Sequence, residues 1–478
     1  MPHPTTPSGA SADFTRHPTL RERADALARG ATTSERLVAD ALARIAAHQA
    51  GGGHAYVGTV DASAALQAAR DSDRRRAAGQ VPSPLAGLPV SIKDLFDVQG
   101  QATQAGSAGA VPGTQPALAD AGAVPGTQPA LADAAAVARL RAAGAVLLGR
   151  TNMSEFAFSG LGLNPHHGHP AHPHDAARIT GGSSSGAAVT VALGLADAAL
   201  GTDTGGSIRI PSAFCGLTGF KPTARRVPLA GAYPLSRSLD SVGPLARSVD
   251  CCAILDAVLS GETLDTAAPP LAGLRLGVTE DFVLDGLDGA IAQAFDQALA
   301  RLSAAGAQIV RFGFAELLEL PGINAAGGLV TAEAWHVHRD RLQDPAQAAR
   351  YDPRVAQRTR RGAAISAADY IDLLDARARL QATARDRLQG LDAWLMPTVA
   401  VLAPLLQDVA TDDDRFFATN AKVLRNPSVL NFLDGCALSL PCQPAGGLPV
   451  GLSVGGLHGA DARVLQVGRA VEACLRAG

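Results

Sequence analysis

Two hydrophobic rhythms run through this chain. Leu20 to His48 and Ala62 to Ala78 place apolar residues at helical spacing among many Ala and Arg; that period predicts amphipathic helices. Other segments are short apolar runs closed by glycine or a polar residue. They are Val90-Ser91-Ile92 ending at Lys93, 145–149 after a helical 133–143, Ala198 to Gly201 after the helical start of 187–203, 274–278, and 391–396. Runs of this length beside glycine turns read as buried strands. Helices alternating with buried strands predict an α/β sandwich around one central sheet. Residues 284–390 are mostly helical in pattern and read as a lobe over one end, residues 397–415 as a Pro- and Asp-rich loop, and residues 1–19 as a disordered tail.

Composition narrows the class. The 478 residues are 47% hydrophobic and 18% charged, which suits a large core and excludes a disordered chain. Net charge is −3, with no basic block beyond residues 73–76, so no electrostatic case exists for nucleic acid or a membrane surface. The longest apolar stretch, Gly186 to Gly201, is interrupted by Asp197 and is too short to span a bilayer. The first 19 residues lack the apolar core of a signal peptide, and the expectation is a soluble cytoplasmic protein. None of the six cysteines forms a C-x-x-C pair, so free buried thiols are expected.

Residues 109–121 recur identically at 122–134. A fold accepts such a duplication in a surface loop, where added length costs little closure entropy. Residues 106–132 are therefore placed outside the core.

The chemistry begins with a charge asymmetry. Only three cations are lysine, against 38 arginines. A desolvated lysine can lose its proton and act as a base; an arginine cannot. Lys93 precedes two loops rich in Ser and Gly, 181–186 and 203–209. Survival of Lys93 by compositional drift is the bland account, and helix capping is the structural use of the loop serines. In the second loop, glycines turn the chain sharply and leave several N–H groups converging ahead of Ser207, as an oxyanion hole requires. Neither loop matches a phosphate-binding Gly motif. No obvious His partner is placed near Ser207 in the sequence, which leaves a Ser-Lys arrangement as the option for activating the serine.

These residues resemble the amidase signature enzymes. The match lies in Gly87 to Asp94, Gly149 to Phe156, Gly181 to Gly186, Gly201 to Arg209 with Pro211, and Gly216 to Thr223. The resemblance covers roughly residues 20–475. It implies a single large domain over 20–478 with a central twisted mixed β-sheet covered by helices on both faces. The core would be 80–260 and 391–475, with the lobe 284–390 covering the substrate pocket. It implies Ser207 as acylated nucleophile, Ser183 as bridging serine with a cis peptide bond, and Lys93 as base. Backbone N–H groups of Thr204, Gly205, Gly206 and Ser207 would form the oxyanion hole. The Lys93 to Ser183 interval of 90 residues is long for the family, and removing the 13-residue duplicate brings it to 77. Ser184 and Arg209 are candidate substrate-binding residues, with bracing the turn the favoured role of Arg209.

Asp203 is expected to hold its loop through backbone amides, and Lys221 to be structural. Trp335 and Tyr370 either line the acyl pocket or pack in the core. His166, His167, His169, His172 and His174 invite a metal reading, against a plain Pro/His-rich loop; the family works there without a metal. The expected activity is hydrolysis of a small carboxylic amide, with an ester or carbamate as further substrates, no cofactor, no metal, and a homodimer left open. The alternative is the glutaminase subunit of a tRNA-dependent amidotransferase, which uses the same triad within a complex.

Overall fold

The structure, a computed structural model, describes residues 17–108, 129–444 and 446–477. Eleven strands build one mixed sheet: β1 (Tyr56–Val57), β2 (Pro89–Lys93), β3 (Val146–Thr151), β4 (Ala198–Asp203), β5 (Thr218–Lys221), β6 (Ser241–Ala246), β7 (Arg275–Thr279), β8 (Gln308–Phe312), β9 (Ala393–Pro397), β10 (Cys436–Pro441) and β11 (Gly451–Gly456). Their order is β1-β3-β2-β4-β6-β5-β10-β11-β9-β7-β8. The five runs expected as strands are β2, β3, β4, β7 and β9. The others escape notice because glycine, proline or polar residues interrupt the apolar signal. In β11, Gly451 lets Ala213 approach so closely that a Cβ would meet it at 2.5 Å.

Helices cover both faces. In β10, Leu438 packs at Gly468 of the helix Asp461–Arg476, while the adjacent Ser439 lies on the side of Gly451 and Ala213. Alternation along the strand makes these opposite faces. The helical stretch expected from 20 to 48 is two helices, Leu20–Ala28 and Ser34–Ala50. Gly30 breaks it at φ 68°, and Thr33 caps the second helix. Thr19, expected in the tail, instead forms a capping box with Glu22. Residues 284–390 are helical apart from β8, and 397–415 contains a short helix, Leu406–Ala410.

The placement of 106–132 needs correcting at its start. Gly106 and Ser107 are buried; the Gly106 N–H donates to Asp94 Oδ2 at 2.9 Å, and the Ser107 carbonyl bonds His167 Nε2 at 2.9 Å. Leu131 is 71% exposed, while residues 109–128 lie outside the described residues. Among the described residues all six cysteines are free, and no helix is long and apolar enough to cross a membrane.

The site is positioned by two interior strands of the sheet. β2 and β4 are adjacent and parallel, with Val90 opposite Ala198 and Ile92 opposite Leu200. Every residue of both strands is buried. Their C-terminal ends therefore deliver Lys93 and the 202–207 segment side by side, at the end of the sheet where open α/β folds bind ligands.

Candidate active site

Lys93 ends β2 with no exposed surface. Its Nζ donates to Ser183 Oγ at 2.8 Å and to Thr202 Oγ1 at 2.8 Å. No carboxylate among the described residues forms an ion pair with it. Burial pulls its pKa from 10.5 down to about 7, with the more distant charges of Asp203 and Asp240 pulling the other way.

Ser183 follows a cis peptide bond from Gly182. A Cβ at Gly182 would come within 2.8 Å of the Gly162 backbone and Ser154 Oγ, so close approach demands glycine there. The Ser184 N–H donates to the Ser207 carbonyl at 3.2 Å, tying the two serine loops together. The Ser184 hydroxyl itself is buried and donates to the Thr202 carbonyl at 3.3 Å.

Ser207 lies between β4 and the helix Arg209–Cys215. Asp203 organises this turn. Its carboxylate accepts from the N–H groups of Gly206 at 2.8 Å, Ile208 at 3.2 Å and Arg209 at 3.4 Å. It also accepts from Arg209 Nε and Nη2, each at 3.0 Å, and from Asn431 Nδ2 at 2.8 Å. Burial pushes the Asp203 pKa up, but the Arg209 charge and hydrogen bonds more than offset this and hold it below the usual carboxylate range. Arg209 is fully buried, and its remaining contact is Asn431 Oδ1 at 2.5 Å. Of its two sequence-based roles the structure places it in the brace, and neither Arg209 nor Ser184 lines the cavity at Ser207.

Of the expected oxyanion donors, the Gly206 N–H is taken by Asp203. The N–H groups of Thr204, Gly205 and Ser207 have no protein acceptor among the described residues. Thr204 is fixed from its side chain, which donates to Asp240 Oδ1 at 2.5 Å. Asp240 also accepts from the N–H groups of Leu235 and Ser236, and burial raises its pKa to about 6. Sequence reasoning missed Thr202, Asp240 and Asn431, the latter two because no motif marks residues that reach the site from distant segments.

Ser207 opens on a cavity of about 610 Å³. A second cavity of about 840 Å³ reaches Thr202 and Asp240, and Ala157, Thr204 and Leu235 line both. Trp335 packs against the main core, and Tyr370 donates to Glu333 Oε1 at 2.7 Å; neither lines a cavity at the site. Lys221 is buried and donates to the carbonyls of Pro222 and Gly435. The five loop histidines serve separate local contacts: Glu155 for His166, the Ser107 carbonyl for His167, the Asn164 N–H for His169, and the carbonyls of Phe214 and Cys215 for His172 and His174. Among the described residues no group of three or more His, Cys, Asp or Glu is placed to hold a metal.

A family model described as Amidase matches residues 36–465. The chain belongs to the amidase family. It is 37% identical over 469 residues to a 2-amino-5-chloromuconic acid deaminase of Comamonas testosteroni, covering 97% of each chain. It is 33% identical to a mandelamide hydrolase of Pseudomonas putida, covering 96% of this chain and 92% of that one. The A-type component of a glutamyl-tRNA(Gln) amidotransferase of Cupriavidus necator is 32% identical, with 95% of each chain covered. A solved amidase structure superposes with a TM-score of 0.83 at 35% identity, covering 95% of this chain and 99% of that one. This amidase is thus a hydrolase acting on C–N bonds.

Proposed function

We propose that this amidase cleaves a small carboxylic amide to acid and amine or ammonia through an acyl-enzyme on Ser207. The observation that carries the reading is the 2.8 Å hydrogen bond from a fully buried, acid-free Lys93 to Ser183. With a pKa near 7, Lys93 is largely neutral at mildly alkaline pH and can accept a proton. Ser183 both donates and accepts, so it passes the Ser207 proton to Lys93 while Ser207 Oγ attacks the carbonyl carbon. The N–H groups of Thr204, Gly205 and Ser207 receive the negative oxygen, with Gly206 pinned by Asp203 to keep the loop in shape. The proton returns through Ser183 to the leaving nitrogen as the C–N bond breaks. Water then attacks the ester by the same relay and releases the acid. The helical lobe covers the substrate, since Leu320, Leu329 and Arg358 share the Ser207 cavity. No cofactor or metal takes part, and the reaction suits a cytoplasmic enzyme.

A serine-directed sulfonyl fluoride tests the mechanism by mass spectrometry. One adduct on Ser207 with loss of turnover is expected, and turnover surviving full labelling overturns it. The likeness to the amidotransferase component supports a glutaminase as the second reading. Ammonia release from glutamine, dependent on a co-purifying second chain, would establish that reading instead.

A further inference from the structure

The Ser207 cavity has a one-sided charge. Arg358, Arg361, Lys422 and Arg425 line it, and among the described residues no Asp or Glu does. Three of these cations have other partners. Lys422 pairs with Asp288 at 3.3 Å. Arg425 donates to the carbonyls of Asp285 and Val283 and lies over the Phe282 ring. Arg361 is exposed and donates to the Ala325 carbonyl at 2.8 Å.

Arg358 is different. It sits in the helix Pro353–Arg360, with its guanidinium 4.3 Å from the centre of the Phe158 ring and Nη1 donating to the Phe158 carbonyl at 2.8 Å. No carboxylate among the described residues pairs with it. Stacking and the single backbone contact fix the plane of the fork and leave its other nitrogens without a protein acceptor. Arg358 is half-buried at the cavity wall, so those nitrogens are open to a bound anion. A fixed guanidinium fork matches a carboxylate in two parallel hydrogen bonds.

We infer that the substrate is an amide bearing a carboxylate, such as a monoamide of a dicarboxylic acid, and that Arg358 binds that carboxylate while the amide lies at Ser207. This rests on hydrolysis at Ser207 in this cavity. A zwitterionic amide such as glutamine fits poorly, because its ammonium would enter a cavity lined by cations and no anion.

Two measurements test the inference. The first needs no turnover: calorimetric titration of the native enzyme with succinate, glutarate and adipate, and with butyrate as the monocarboxylate control. At least one diacid should bind about tenfold tighter than butyrate, because one carboxylate then reaches Arg358 while the other occupies the product position. No preference for any diacid overturns the inference. The second compares kcat/KM for succinamate, glutaramate and adipamate with their methyl esters and with L-glutamine. The best free acid should exceed its ester and glutamine by about tenfold or more, mainly through KM, and Arg358→Gln should remove the preference. Esters or glutamine cleaved as well as every acid would refute the carboxylate role. Loss of the Ser207 mechanism has a separate signature, turnover by Ser207→Ala, and leaves the diacid titration readable.

Discussion

Asp203 and Arg209 form a bidentate ion pair in which neither side chain has any exposed surface, and both nitrogen–oxygen distances are 3.0 Å. The pair stands directly beneath the Ser207 turn, and the same carboxylate holds the Gly206 N–H. Replacing Arg209 with Leu would strand a buried carboxylate. A loss of about 3–5 kcal/mol in stability is expected in urea unfolding. Arg209→Lys should rescue little of it, because a point charge cannot reproduce the fork. The Asp203 pKa is depressed in the folded protein, so its stabilising contribution is present above the ordinary carboxylate pKa and is lost as pH falls through the lower folded value.

Lys93 sets the pH dependence. In the proposed relay only the neutral amine accepts the Ser207 proton, so kcat/KM should rise with pH through about 7. Lys93→Arg should be as inactive as Lys93→Ala, since guanidinium keeps its proton. Substantial activity in the Arg variant would make Lys93 an electrostatic post. The folded pKa lies below the unfolded one, so between about 7 and 10.5 the unfolded chain binds the extra proton. This residue therefore makes the protein more stable as pH rises across that window. Lys93→Met should flatten that rise in pH-dependent unfolding.

Asp240 faces the same relay. Its charge raises the Lys93 pKa, and it fixes Thr204 through the hydroxyl. Asp240→Asn keeps an acceptor for Thr204 but removes the charge. The acid limb of the pH–rate profile should move to lower pH. An unmoved limb would show that Asp240 acts on loop geometry alone.

Ser207→Ala should abolish turnover with stability within about 1 kcal/mol of the parent, as a hydroxyl lost at a cavity wall leaves little void. Near-UV circular dichroism and a thermal melt check the fold. Exhaustive chelation should leave the parent's rate unchanged, given that the five loop histidines have separate local partners. Activity lost to EDTA and restored by Zn²⁺ would point to metal-bound water as the nucleophile.

Deleting residues 122–134 should preserve both fold and activity. The two copies are identical, so the deletion leaves the same residues joined to Ala135. They can remake the anchor now formed by the Ala134 N–H to the Asp97 carbonyl at 2.8 Å. Stability within a few kcal/mol of the parent is expected. Collapse of expression would show that the second copy has become part of an interface.

The strands that carry Lys93 and Asp203 were legible from sequence because they are short and largely apolar ahead of their charged last residues, with glycines close by. The loops at Ser183 and Ser207 were legible because their glycines and serines are contiguous, so the backbone geometry is written locally. Tertiary structure alone decided what faces them. Asn431 reaches Asp203 across 228 residues of sequence, and Asp240 reaches Thr204 across 36. Arg358 is brought to Phe158 across 200. Nothing local marks these partners, because an Asp, Asn or Arg on a helix or loop reads as solvent-facing until packing encloses it. Arg209 followed the same rule: one turn can present an arginine to a ligand or to its own carboxylate, and here the fold buries it beside Asp203.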